Sequence, residues 1–134
     1  VRRAHRGRHP PREALFRETL MKRRSAVLVN LQNPKEKVWG VLLSIQASGI
    51  TVRGIDLNSF DDWSRAVARG DRDMGLSTTF FPIHRVERVT LDETIGSTPS
   101  LAETFEARVG QDVWSFLGLK RHPSVKIEQN LKIQ

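Results

Sequence analysis

His84, Arg85 and Arg88 place one imidazole and two guanidiniums within five residues. Such a group offers stacking surface, hydrogen-bond donors and positive charge, which is what a single-stranded nucleic acid needs from a protein once its bases are splayed out. The same arginines also suit ion pairs with Glu87 and Asp92 at a subunit edge. No nucleophile motif or paired carboxylate accompanies His84, so no catalytic residue is assigned and the chain is not read as an enzyme. Asp56, Asp61 and Asp62 suggest a calcium site, but they lack the Asp-x-Asp-x-Asp-Gly run and closing glutamate of a calcium loop. There are no cysteines, which excludes disulfides and thiolate metal sites. Neither a metal, a cofactor nor a small-molecule substrate is expected.

A second basic group, Lys22, Arg23 and Arg24, closes a strongly charged start. The net charge of the chain is +7, and residues 1 to 24 carry all of it, with nine basic residues against Glu13 and Glu18. A polyanion is the natural partner of such an arm, because neutralising phosphates releases counterions without regard to sequence. A solvated basic tail without a ligand has the same composition. Within it, Arg8-x-x-x-Arg12 has the spacing of a cyclic-dinucleotide-binding arm of the PilZ kind, but the partner Asp/Asn-x-Ser-x-x-Gly motif is missing. No apolar stretch reaches membrane-spanning length and the arginine-rich start lacks a secretory apolar run, so a cytoplasmic protein without membrane contact is expected.

These groups must be held by strands. Val27, Val29 and Leu31 alternate, as do Val41, Leu43 and Ile45, and Ser48-Gly49 supplies a turn into Ile50 and Val52. Ile83, Val86 and Val89 are spaced by three, which one plain strand cannot place on one face. A strand, a single tight 3₁₀ turn and another strand is the simplest path.

Taken together, Leu28-Val29-Asn30, the run Gly40-x-Leu42-x-x-Ile45-Gln46 through Ile50-x-Val52, and His84 followed by Val86 and Val89 resemble the Sm-like fold, and within it the bacterial Hfq branch. The resemblance covers about residues 11 to 57 and 80 to 92. It implies a five-stranded Sm-like barrel of SH3-like character and a homo-oligomeric ring in which strand 4 of one subunit pairs with strand 5 of the next. It also implies single-stranded RNA bound near His84, Arg85, Arg88 and Gln46, with Lys22, Arg23 and Arg24 near the position of the family's basic rim. Three positions depart from the family. Ile83 stands where a lysine precedes the histidine, Ser48 where an aromatic stacks on the base, and Ala47 where a glutamine adjoins it. The alternative is a protein-interaction or structural module on the same barrel, with its C-terminal helix as the docking face.

The expected fold class is α+β. Residues 1 to 10 form a disordered basic arm. Residues 11 to 95 form the Sm-like domain, with a helix over 11 to 24 and an inserted strand 3 to 4 loop over 58 to 79. That insertion holds a short helix through Trp63, Ala66 and Val67, ended by Gly70. Residues 96 to 118 form a C-terminal helical extension, opened by a capping box at Ser100 and Glu103 and open to division at Gly110. Residues 119 to 134 are a tail. Trp39, Trp63 and Trp114 are read as core or interface anchors.

Overall fold

The computed structural model describes residues 24–71 and 75–120. Most of the expected first helix, with Lys22 and Arg23, and the tail beyond Lys120 lie outside the described residues. Five antiparallel strands, β1 (Ala26–Leu31), β2 (Glu36–Gln46), β3 (Gly49–Asp56), β4 (Ser77–Pro82) and β5 (Val86–Leu91), form one sheet in the order β4-β3-β2-β1-β5. Among the described residues three α-helices accompany it: α1 (Phe60–Ala68), α2 (Leu101–Val109) and α3 (Val113–Leu117). The architecture is therefore α+β. No helix among the described residues is long and apolar enough to cross a membrane.

The alternation of side chains sorts the sheet into two faces. Val27, Val29, Leu31, Leu42, Ile50 and Val52 fill the inner face, with Phe81, Val86 and Val89 packed against them. Trp39, Val41 and Ala26 belong to the outer face and form a second core with Phe60, Trp63 and Val67 of α1, Phe105 of α2 and Val113 and Trp114 of α3. In a flat sheet the edge strands β4 and β5 would lie about 19 Å apart. The chain joins them through only Ile83–Arg85, a 3₁₀ turn, so the sheet must curl around its inner core. It is not closed into a barrel, since β4 pairs with β3 and β5 with β1 but the two edges do not pair with each other.

The curl is made possible at Gly40 and Gly54, which lie opposite each other in the β2–β3 ladder. A Cβ on Gly40 would meet the Arg53 carbonyl oxygen at 2.5 Å and the Gly54 Cα at 2.6 Å. Only hydrogen fits between strands this close. β2 begins at Glu36, which pairs with Leu31 across the turn.

Residues 58 to 71 are not a loose loop. Asp61 and Asp62 in the first turn of α1 suit the positive end of its dipole, and the positive φ of Gly70 lets the chain leave the helix. Trp63 stacks on Phe105 with ring centroids 4.9 Å apart, and Trp39 meets Phe60 edge to face at the same separation. Arg108 of α2 donates to Asp61 Oδ1 at 2.9 Å and to Ser64 Oγ at 2.7 Å, fastening the two helices together.

The C-terminal extension is two helices rather than one. Gly110 adopts the left-handed conformation that ends α2, and Asp112 accepts from Ser115 N–H to start α3. The expected capping box is present. Ser100 Oγ accepts from Glu103 N–H and the Glu103 carboxylate accepts from Ser100 N–H, each at 3.1 Å. The Thr94 hydroxyl donates to the same carboxylate. These bonds, that from Thr94 foremost, hold the Glu103 carboxyl below its ordinary value of 4.5.

Gly40→Ala is expected to destabilise the fold by about 1 to 3 kcal/mol, because backbone lies on the side the methyl would occupy. Urea unfolding measures it, and a midpoint equal to that of the unaltered chain would show that the strands part at no cost.

Candidate nucleic-acid interface

The 3₁₀ turn Ile83–Arg85 is clasped by both hairpin ends of the sheet. Ile83 N–H donates to the Ser48 carbonyl at 2.9 Å, in the β2–β3 turn. On its other side Gln32, in the β1–β2 turn, donates from its backbone N–H to the Arg85 carbonyl at 2.8 Å and from Nε2 to the His84 carbonyl at 3.1 Å. Every carbonyl of the turn is thereby engaged, since Val86 N–H donates to that of Ile83. A three-residue connection with no side-chain cap of its own gains a fixed shape from these bonds.

The imidazole of His84 is exposed on this fixed turn. Gln46 is exposed too, and the ladder connects it to the same corner: Gln46 pairs with Gly49, and Gly49 with Pro82. Ile83 and Ile45 are also about half exposed, giving the corner an apolar surface. Ile83 therefore does not join Val86 and Val89 against the inner core, although its spacing in the sequence puts it in their series.

Arg85 is partly covered and pairs with Glu36 Oε1 at 3.5 Å. Its expected alternative partners are engaged elsewhere or lie apart from it. Asp92 accepts from Trp39 Nε1 at 3.0 Å and from the Leu101 and Ala102 N–H groups at 2.8 and 2.9 Å. Arg88 is exposed on β5 opposite Asn30, which is itself opposite Lys37. Directly paired residues share a face, so Lys37, Asn30 and Arg88 form one row on the outer face. The next row toward the helices is Trp39, Leu28 and Thr90, and there the outer core begins. Lys37 and Asn30 escaped the sequence reading as contributors to a basic row because the alignment of three strands is needed to see them together.

Arg24 is not part of this arrangement. Its backbone N–H donates to Leu42 and its carbonyl accepts from Trp114 Nε1, which fixes it beside the start of β1. Gln32 and Arg85 lie at the other end of that strand, roughly 26 Å away at strand rise. Lys22 and Arg23 lie outside the described residues.

The apolar stripe on the C-terminal helices is also used internally. Phe105, Val113 and Trp114 are buried against the sheet and α1, and Leu101 and Val109 are partly covered. The docking face that an interaction module would need there is already occupied by the chain itself. Among the described residues no group of three or more histidines, aspartates or glutamates could hold a metal ion.

Compared with protein-family models, with curated proteins and with solved structures, the chain has no significant match.

Because the Arg85–Glu36 pair is solvent-exposed and 3.5 Å long, Arg85→Ala is expected to cost less than about 1 kcal/mol of stability. Thermal melting checks this, and a larger loss would make Arg85 a structural residue of the turn rather than one free to meet a ligand.

Proposed function

We propose that this chain binds single-stranded RNA as a homo-oligomeric ring of Sm-like subunits. The observation that carries the reading is the turn at His84. It is held by both hairpin ends, it presents an exposed imidazole at the corner that the ladder connects to Gln46 through Gly49 and Pro82, and through Gln32 it borders the strand ends that carry Arg88, Asn30 and Lys37. Stacking surface, amide donors and acceptors, and fixed positive charge thus adjoin on a rigid part of the fold, which suits unpaired bases and their phosphates. A strongly bent five-stranded sheet with a tight 3₁₀ turn before its last strand is also what the Sm-like reading requires.

The edges support assembly. β4 carries no charged residue over Ser77–Pro82, and neither β4 nor β5 has a second strand beside it among the described residues. An exposed edge without charge, such as that of β4, invites pairing with another chain, whereas β5 carries Glu87 and Arg88 and an irregularity in its pairing at Asn30 and Leu31. Pairing β4 of one subunit with β5 of the next is a head-to-tail contact, which generates a ring when its rotation closes. The basic start, with Lys22 and Arg23, would add sequence-independent attraction for phosphates.

His84→Ala combined with Arg88→Ala is expected to weaken single-stranded RNA binding by roughly 1 to 3 kcal/mol and to leave oligomer size, read by light scattering, unchanged. Preference for single-stranded over duplex RNA should fall with it. If the unaltered chain binds single-stranded RNA, duplex RNA and DNA alike, the basic start alone does the binding and the turn has no such role.

A further inference from the structure

The stacking aromatic implied by the family resemblance is Ser48 here, yet the same corner of the sheet holds another ring. Phe80 and Phe81 are adjacent on β4, so their side chains take opposite faces. Phe81 lies opposite Ile50 and packs on the inner core. Phe80 lies opposite Thr51 on the outer face and is 51% exposed. It is not thrown out into solvent. Its ring lies against the hairpin at Gly49, where an added Cβ would meet Phe80 Cζ at 2.7 Å. One side of the ring is backed by backbone, and an aromatic supported in this way keeps its orientation.

The neighbouring row on the same face is Arg53 and Thr78. Arg53 Nη1 donates to Thr78 Oγ1 at 3.3 Å, while Arg53 Nε is buried and has no hydrogen-bond partner among the described residues. A guanidinium lies one row from the ring, held in place through one nitrogen and with donors to spare. Rows on one strand face are about 7 Å apart, close to the distance between a nucleobase and the phosphate of its own or the next nucleotide.

We propose that the outer face of β3 and β4 is a nucleotide subsite, in which Phe80 stacks on an unpaired base and Arg53 receives the adjacent phosphate. Resting on the single-stranded RNA reading above, this subsite extends the strand's path from the His84 turn past Gly49 onto the outer face. It also restores, from a different strand, the ring that Ser48 removes. Arginine suits the second role because its planar fork meets phosphate oxygens in pairs. An exposed phenylalanine on an edge strand is otherwise a liability for association.

The full chain with Phe80→Trp and with Phe80→Leu tests it, using an oligouridylate and an abasic oligonucleotide of equal length as probes. The native tryptophans Trp39, Trp63 and Trp114 are buried, so an indole at position 80 reports on the subsite separately. Phe80→Trp is expected to keep the affinity of the unaltered chain and to lose emission on binding the oligouridylate but not the abasic strand. Phe80→Leu is expected to lose about tenfold in affinity for the oligouridylate and little for the abasic strand, with unchanged circular dichroism. Arg53→Gln should weaken both probes, since it removes a phosphate contact. Equal affinity of Phe80→Leu and the unaltered chain for the oligouridylate would overturn the subsite while the RNA reading stands. No binding by the unaltered chain would overturn both.

Discussion

The carboxylate of Asp92 joins the two layers of this molecule. It sits where β5 ends, and its own N–H is bonded to the Ala26 carbonyl at the start of β1. One oxygen accepts from Leu101 N–H and the other from Ala102 N–H and the Trp39 indole. Two of the unpaired donors at the start of α2 are thus satisfied by a negative charge, which the helix dipole favours. The buried indole has its partner through the same side chain. Because the start of α2 is bonded to Asp92, the residue that follows β5 and its Arg88, its position fixes how much of the outer face is covered.

What the helices cover is as informative as what they leave. Trp39 is the first outer-face residue of β2 inside the aromatic core, where Phe60, Trp63 and Phe105 close over it. Two residues earlier Lys37 is exposed. The helical layer therefore stops one row short of the β1–β2 turn, leaving Lys37, Asn30 and Arg88 open. It also leaves the outer face of β3 and β4 open at Thr78 and Phe80. Both open regions border the His84 turn, one through Gln32 and the other through Ser48. The curl at Gly40 and Gly54 accounts for this, since it lets one short turn touch two hairpin ends.

Much of this is local enough to read from the sequence. Alternation gave β1 to β3, and the three-residue spacing of Ile83, Val86 and Val89 gave the 3₁₀ turn, although Ile83 itself faces outward. Ser100 and Glu103 mark a helix start that the structure reproduces, and Gly110 the division between α2 and α3. What local pattern does not carry is partnership. Nothing near Trp63 says that it will stack on Phe105, 42 residues later in the numbering, so the insertion reads as a loop and the last helices as an extension. Nothing near Arg85 names Glu36. Phe80 and Phe81 are equivalent in the sequence, and only the pairing of β4 with β3 decides which is buried. The outer-face row of Lys37, Asn30 and Arg88 exists only once three strands are in register.

Under the proposed function, recognition lies on the folded sheet around His84 and the basic start aids attraction. Ultraviolet cross-linking of the full chain to a single-stranded oligouridylate, followed by identification of the linked peptides, separates these directly. Cross-links in the peptides that hold Gln46 and the segment from Phe80 to Arg88 are the predicted result. Cross-links confined to residues 1 to 24 would contradict it.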